Sequence, residues 1–184
     1  YDEHGEEAYS QGFEVVTTID GDKQLTANKA LIDGLENYYD KRHGYRGATA
    51  NYPKELYVDE NGDAKEAWAK ELQQVSVIGN QHPAIVTSVD DLSFEAVLKS
   101  GQTTKVEWDG ISWAYTFNSR NDAWPPPDIA GDAVQTGNLI RLKNIDGQWQ
   151  LGQIPDIQGA LVSMSPSNGE IIALVGGYDF RHSQ

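Results

Sequence analysis

Between Ala84 and Ile154 the chain carries six short segments with β-strand character, separated by residues that favour turns. Several of the turns end in glycine, which tolerates the backbone angles of tight turns. Five or six strands within about seventy residues favour a small barrel, because an open sheet would leave unpaired edges. The sequence therefore predicts a mainly β fold. The segments are AIVTSVD, FEAVLKS, TTKVEW, ISWAYTF, NLIRLKN and QWQLGQI, with turns at Ser100-Gly101, Asp109-Gly110 and Asp146-Gly147.

The residues before the barrel predict a strand followed by a helix. Residues 12–20 (GFEVVTTID) are rich in β-branched side chains and predict the strand. Residues 22–39 show apolar side chains at helical spacing. Asp20 or Asp22 can cap the start of this helix, and Gly44 can end it in the left-handed region. Its predicted apolar stripe comprises Leu25, Ile32, Leu35 and Tyr39, widened by Leu31 and Tyr38.

A shorter helix and a terminal hairpin are also predicted. The helix covers residues 64–74, where Asp63 and Glu66 have the spacing of a capping box. The hairpin pairs residues 159–165 with residues 170–176 through a tight turn at Asn168-Gly169. Both of its strands are almost continuously apolar, which is typical of strands covered on both faces.

Residues 118–137 form a long irregular stretch that is the candidate functional loop. Pro125, Pro126 and Pro127 cannot join a strand ladder. Trp124, directly before them, either presents a rigid aromatic edge to a partner or folds back onto the barrel, and the sequence leaves both open. The residues predicted to contact a partner are Arg120, Asn121, Trp124, Pro125 and Pro126.

Composition restricts the classes of function that are open to the chain. The net charge is -14, and residues 48–156 hold 8 basic against 16 acidic side chains, so a nucleic acid partner is not expected. There is no cysteine, and the four histidines lack the spacing of metal ligands. The acidic run at Asp59, Glu60 and Asp63 is too short for a calcium loop. We therefore expect no metal, no cofactor and no membrane span in this chain.

Motifs at both ends of the chain resemble class A penicillin-binding proteins of the 1A type. At the start they are VTTID (residues 16–20), the helix positions Ala30, Leu31, Gly34 and Leu35, and YYDKRHGYRG (residues 38–47). At the end the motif is IPDIQGALVSMSPSNGEIIALVGGYDF (residues 154–180). The middle, with VEWDGISWA and QTGNLIRLKN, is similar to the OB-like domain that Gram-negative members insert there.

The resemblance implies a fold and a division of the chain. An OB-like barrel, residues 48–156, would be inserted into a small α+β platform. The platform would combine the linker strand and helix, residues 1–47, with the hairpin that begins the transpeptidase domain, residues 157–184. We expect the chain to be a piece of a longer protein, located in the periplasm of a Gram-negative bacterium and anchored there in the inner membrane by its parent.

The resemblance also implies a role without chemistry. The family comprises bifunctional peptidoglycan synthases that carry a glycosyltransferase and a transpeptidase domain. This chain has neither Ser-x-x-Lys nor Lys-Thr-Gly, and no Glu-Asp pair, so no catalytic residue is predicted. The implied role is to dock an outer-membrane lipoprotein activator and to space the parent's two catalytic domains.

Two further interpretations stay open at this stage. An OB barrel can also bind carbohydrate, here peptidoglycan, and Trp108 and Trp113 are then the candidate stacking residues. Arg42 and Arg46 either clamp a carboxylate across the linker or form a solvated basic turn.

Overall fold

In the part of the chain that the structure describes, ten strands form one six-stranded sheet and two two-stranded sheets, accompanied by helices. The computed structural model describes residue 14 and residues 16–119, 122–123 and 125–179. The strands are β1 Ala50–Asn51, β2 His82–Val89, β3 Ser93–Leu98, β4 Thr103–Glu107, β5 Phe117–Ser119, β6 Asp122–Ala123, β7 Asn138–Ile145, β8 Gln148–Gly152, β9 Ala160–Met164 and β10 Ile171–Gly176.

The barrel strands pair in the order β4-β3-β2-β7, all antiparallel. β8 pairs with most of the other edge of β7, and β1 pairs with its beginning. The register of β2 against β3 shifts between Val86 and Ser88, a bulge of the kind that curves a strand. β4 and β8 then lie close to each other without strand pairing, which gives a five-stranded, partly open barrel. The predicted mainly β, OB-like fold is confirmed.

Alternation along the strands creates two apolar layers. Ala84 and Val86 of β2 face the barrel interior, where Phe94 and Leu142 are also buried. Ile85, between them in sequence, faces outward. It packs under the helix Lys65–Leu72, which buries Trp68 and Leu72 against this face of the barrel.

That helix is shorter than predicted, and its capping box is wrong. Ala64 occupies the N-cap position, which offers no side-chain acceptor. Asp63 lies one residue further out, where its carboxylate accepts a hydrogen bond from the Lys65 amide at 2.9 Å. The apolar Ala64 is buried at this point, so packing against the barrel sets the start of the helix.

A continuous helical stretch from Gly21 to His43, here called the linker helix, leads into the barrel. It comprises the α-helix Gly21–Asp33, a π-helical segment Gly34–Asp40 and a final turn Lys41–His43. As predicted, Asp20 is the N-cap, accepting from the Lys23 amide at 3.1 Å. Gly44 ends the stretch with a φ of 94°. The predicted apolar stripe is wrong at Leu25 and at Tyr38, which are 68% and 71% exposed. Ala27 faces the hairpin instead.

The terminal hairpin, β9 and β10, packs its inner face on the linker helix. Ala173 and Val175 bury themselves against Ala27. The outer face is open, with Val162, Met164 and Leu174 each more than half exposed. Coverage on both faces is therefore wrong for this chain. The turn is also not a two-residue primed turn: the Ser165 amide donates to the Glu170 carbonyl at 2.8 Å across a four-residue loop, and the Ser165 carbonyl accepts from the Gly169 amide at 2.9 Å.

The strand predicted at residues 12–20 is not formed at residues 14 and 16–20, the part of it that the structure describes. These residues instead approach the outer edge of β10. The Thr18 hydroxyl donates to the Ile171 carbonyl at 2.6 Å, and the Asp20 amide donates to the Ile172 carbonyl at 2.9 Å. One side-chain and one backbone hydrogen bond thus stand in place of the regular ladder that a strand would need.

The strand predicted for ISWAYTF is also wrong over most of its length. A 3-10 turn at Trp108–Gly110 continues into further turns, and a strand begins only at Phe117. Ile111 and Ala114 are both buried, three residues apart, which a turn can achieve and strand alternation cannot.

Candidate functional site

The candidate loop, residues 118–137, has a described second half and a first half that is only partly described. Arg120, Asn121 and Trp124 lie outside the described residues. Pro125 and Pro126 are exposed, whereas Pro127 is buried. Two of the five residues predicted to meet a partner are thus accessible in the part of the loop that can be seen.

The second half of this loop is anchored in the barrel. Ala130 and Val134 are buried in the barrel core. The Ala130 amide donates to the Asp91 carbonyl at 2.8 Å, in the turn between β2 and β3. The Asp132 carboxylate accepts from the amides of Asp128 and Ile129 at 2.9 and 3.1 Å. The exposed prolines therefore project from a base that is already ordered, which lowers the entropy cost of binding.

Trp113, one of the two candidate stacking residues, is engaged within the chain. Its indole N–H donates to the Leu151 carbonyl at 3.0 Å. The Lys41 ammonium lies 5.4 Å from the centre of its ring, and Tyr45 meets the ring edge-on with centroids 6.0 Å apart. Trp108, the other candidate, is partly buried against the barrel core. These contacts favour a structural role for both rings, and stacking on a glycan stays a prediction.

A groove of about 370 Å³ runs along the open seam between β4 and β8. Lys105 and Glu107 line one side as an exposed ion pair of 2.8 Å, and Trp149 and Gln150 line the other. Gly110 also lines the groove and packs tightly on β8, since a Cβ there would lie 3.1 Å from the Gln150 backbone. The aromatic side chain in this groove is thus Trp149, which the sequence did not single out as a ligand contact.

The junction between the linker helix and the barrel contains a buried ion pair that sequence reasoning missed. Glu36 of the π-helical segment accepts from the Lys143 ammonium of β7 at 2.9 Å, and the two side chains are 6% and 4% exposed. The same carboxylate accepts from the side-chain amide of Gln81 at 2.8 Å and from the Tyr178 hydroxyl. Burial and the neighbouring Glu36 raise the pKa of Tyr178, so the phenol keeps the proton that it donates.

Arg46 holds a second buried carboxylate, as one of the two readings of the basic turn predicted. Its guanidinium donates to Asp40 at 2.6 Å and to the Ile154 carbonyl at 2.5 Å. Burial raises the pKa of Asp40, and the hydrogen bond from Arg46 offsets part of that effect. Arg42 makes no such clamp among the described residues. It lies over the exposed Tyr38 ring at 5.2 Å.

A family comparison explains this architecture. A family model described as the penicillin-binding protein OB-like domain matches residues 45–157, more than half of the chain. The chain belongs to the penicillin-binding protein OB-like domain family. The resemblance to penicillin-binding proteins of the 1A type is thereby confirmed.

Relatives of this OB-like domain extend well beyond it. The chain is 39% identical to penicillin-binding protein 1A of Pseudomonas aeruginosa and 35% identical to that of Escherichia coli, over 98% and 100% of its length. It spans 21% of the length of each of these relatives. A crystal structure of penicillin-binding protein 1A from Haemophilus influenzae is similar with a TM-score of 0.67 at 29% identity, covering 91% of this chain and 22% of that one.

Metal clusters and membrane-spanning helices are both absent from the described residues of this OB-like domain and its flanks. Within residue 14 and residues 16–119, 122–123 and 125–179, no cluster of three acidic or histidine side chains could hold a metal ion. No helix in this described part of the chain is long and apolar enough to cross a membrane.

Proposed function

We propose that this chain is the non-catalytic docking domain of a bifunctional peptidoglycan synthase and that it binds an outer-membrane lipoprotein activator. In this proposal the parent protein polymerises glycan and cross-links peptides in other domains. The parent is anchored in the inner membrane, and this chain lies in the periplasm.

The observation that carries the proposal is the exposed proline segment, Pro125 and Pro126, next to a loop half that is anchored in the barrel. Pro125 and Pro126 are exposed, while Ala130 and Val134, further along the same loop, are buried in the barrel. Interfaces favour rigid, preorganised elements, because less conformational entropy is then lost on binding. Membership of the OB-like domain family supports the same role, since it sets this barrel within a penicillin-binding protein.

The platform has a place in this proposal. We divide the chain into residues 1–47, 48–156 and 157–184, with the outer two segments joining the parent's glycosyltransferase and transpeptidase domains. The helix and hairpin pack together through Ala27, Ala173 and Val175. The barrel would therefore reach the activator while the platform holds its place between the catalytic domains.

Chemical-shift mapping tests the proposal. The isotope-labelled chain is titrated with the soluble part of the lipoprotein activator of a 1A-type synthase. We expect the largest shift changes at residues 118–137 and at the Asp91 turn that anchors them. Changes confined to β9 and β10, or none at saturation, would contradict it.

A carbohydrate-binding function is the alternative. The groove along the open seam favours it, since it combines Trp149 with polar side chains such as Gln150. Incubation with purified cell-wall sacculi separates the two functions. Retention of the chain without any protein partner would support carbohydrate binding, and recovery of the chain in the supernatant would support docking alone.

A further inference from the structure

We infer that Glu36 couples the barrel to the terminal hairpin, so that the two open as one cooperative unit. Its carboxylate binds three parts of the chain at once. Lys143 belongs to β7, Gln81 directly precedes β2, and Tyr178 follows β10 by two residues. The linker helix itself contributes Glu36, so helix, barrel and hairpin meet at one side chain.

Burial makes these contacts hard to break separately. Glu36, Lys143, Gln81 and Tyr178 are each no more than 5% exposed as whole residues. A carboxylate that loses its partners in such a place stays buried and uncompensated, which is strongly unfavourable. Movement of the hairpin away from the barrel would remove the Tyr178 hydrogen bond and admit water to the ion pair. The least costly motions are therefore those that keep the three parts together.

An apolar cluster reinforces the polar one. Leu35 of the linker helix, Ile78 of the segment before β2 and Tyr178 are buried against one another. Gly79 lies so close to the Tyr178 ring that a Cβ there would be 3.2 Å from it, and its amide donates to the Asp179 carboxylate at 2.7 Å. The segment entering β2 is thus docked directly on the residues that leave the hairpin.

The two crossings between platform and barrel are also joined. The Gln153 amide donates to the Gly44 carbonyl at 2.9 Å and accepts from the Arg46 backbone amide at 3.0 Å. Arg46 in turn donates to the Ile154 carbonyl. The segment that enters the barrel, residues 44–46, is therefore hydrogen-bonded to the segment that leaves it, residues 153–154. Segments bonded in this way do not act as the flexible linkers that would let the barrel move independently.

Coupling of this kind has a regulatory consequence. A ligand that stabilises the closed barrel must also stabilise the hairpin, because linked equilibria are reciprocal. The inference rests on the junction alone and holds whatever binds the barrel. It is therefore independent of the proposed docking function.

Hydrogen exchange on the whole chain, at increasing denaturant, tests the inference. We expect the slowest amides of β9 and β10 to share their opening free energy and its denaturant dependence with the slowest amides of β2, β3 and β7. A hairpin that opens with a smaller free energy and little denaturant dependence would overturn the inference.

The variant Tyr178→Phe provides the matched perturbation, with Tyr38→Phe as its control. Tyr178→Phe removes one hydroxyl and leaves the Glu36–Lys143 pair in place, so the slowest amides of β9, β10 and β3 should accelerate by a similar factor, roughly tenfold, because one shared opening exposes them all. The exposed Tyr38 is on the same helix, and Tyr38→Phe should change neither. Faster exchange in β9 and β10 without a matching change in β3, unchanged exchange in Tyr178→Phe, or equal changes in both variants would overturn the inference.

Discussion

The Glu36 carboxylate and the Lys143 ammonium lie 2.9 Å apart, on the linker helix and on β7, and both are almost fully buried. The two residues are 107 positions apart in the chain. Their contact fixes where the helix meets the barrel. Because each charge compensates the other, the pair is sensitive to the loss of either partner.

Lys143→Met should destabilise the chain by about 3–5 kcal/mol, because it leaves the Glu36 carboxylate buried without its cation. Urea unfolding followed by tryptophan fluorescence measures this, since all five tryptophans lie within residues 48–156. Lys105→Met is the matched control. Lys105 pairs with Glu107 at a similar distance, 2.8 Å, but in solvent, so its loss should have little effect. Equal destabilisation by both variants would contradict the role of burial.

Gly44→Ala should destabilise the junction by about 1–3 kcal/mol from backbone strain alone. Gly44 has a φ of 94°, and an added Cβ would lie 2.5 Å from the Tyr115 carbonyl oxygen. This oxygen belongs to the backbone, so it cannot be displaced by a change of side-chain rotamer. Gly176→Ala is the control, since a Cβ there meets no atom within 4 Å. Thermal unfolding of both variants checks the prediction. A Gly44→Ala chain as stable as the control would show that the crossing is not constrained as described.

Asp40 should give the stability a dependence on pH of unusual sign for a carboxylate. Burial raises its pKa above 3.8, chiefly by desolvation. As pH rises through this window the unfolded chain releases the proton before the folded chain does, so the free energy of unfolding falls. We expect wild type to lose stability relative to Asp40→Asn as the pH rises from about 3.8, the ordinary pKa of Asp40, through its raised pKa in the folded chain.

Urea unfolding across that pH range checks the Asp40 prediction. Asp33→Asn, at an exposed position on the same helix, is the matched control and should show no comparable trend. If wild type instead gains stability over Asp40→Asn as the pH rises, the ion pair with Arg46 outweighs burial.

Local pattern was sufficient for much of the fold. The strands β2, β3, β4, β7 and β8 follow from alternation and turn residues, and the helix limits at Asp20 and Gly44 follow from capping chemistry. These signals act within a few residues, which is why a single sequence carries them. The strand predicted after Trp108 was wrong, because Ile111 and Ala114 are buried in the core although they lie in turns and not in a strand.

The junction could not be predicted in the same way. Glu36 and Asp40 sit on a helix where charged residues ordinarily face solvent, and their burial depends on cations placed by the tertiary fold. Arg46 gave a partial signal as a basic residue beside the linker. Lys143 gave no signal in the sequence, because its pairing with Glu36 arises only when β7 packs against the linker helix. The π-helical segment that carries Glu36 and Asp40 was likewise not predicted, because no local motif in the sequence indicates it.

The most direct test of the docking proposal compares the affinity of Trp124→Ala for the lipoprotein activator with the affinity of the wild-type chain. Trp124 precedes the exposed prolines, and aromatic anchors contribute most to interfaces. Leu56→Ala is the control, because Leu56 is an apolar residue that is 77% exposed elsewhere on the barrel. By titration calorimetry we predict at least a tenfold loss of affinity in Trp124→Ala, about 1.4 kcal/mol, and none in Leu56→Ala. Equal affinity of Trp124→Ala and wild type would contradict docking through this loop.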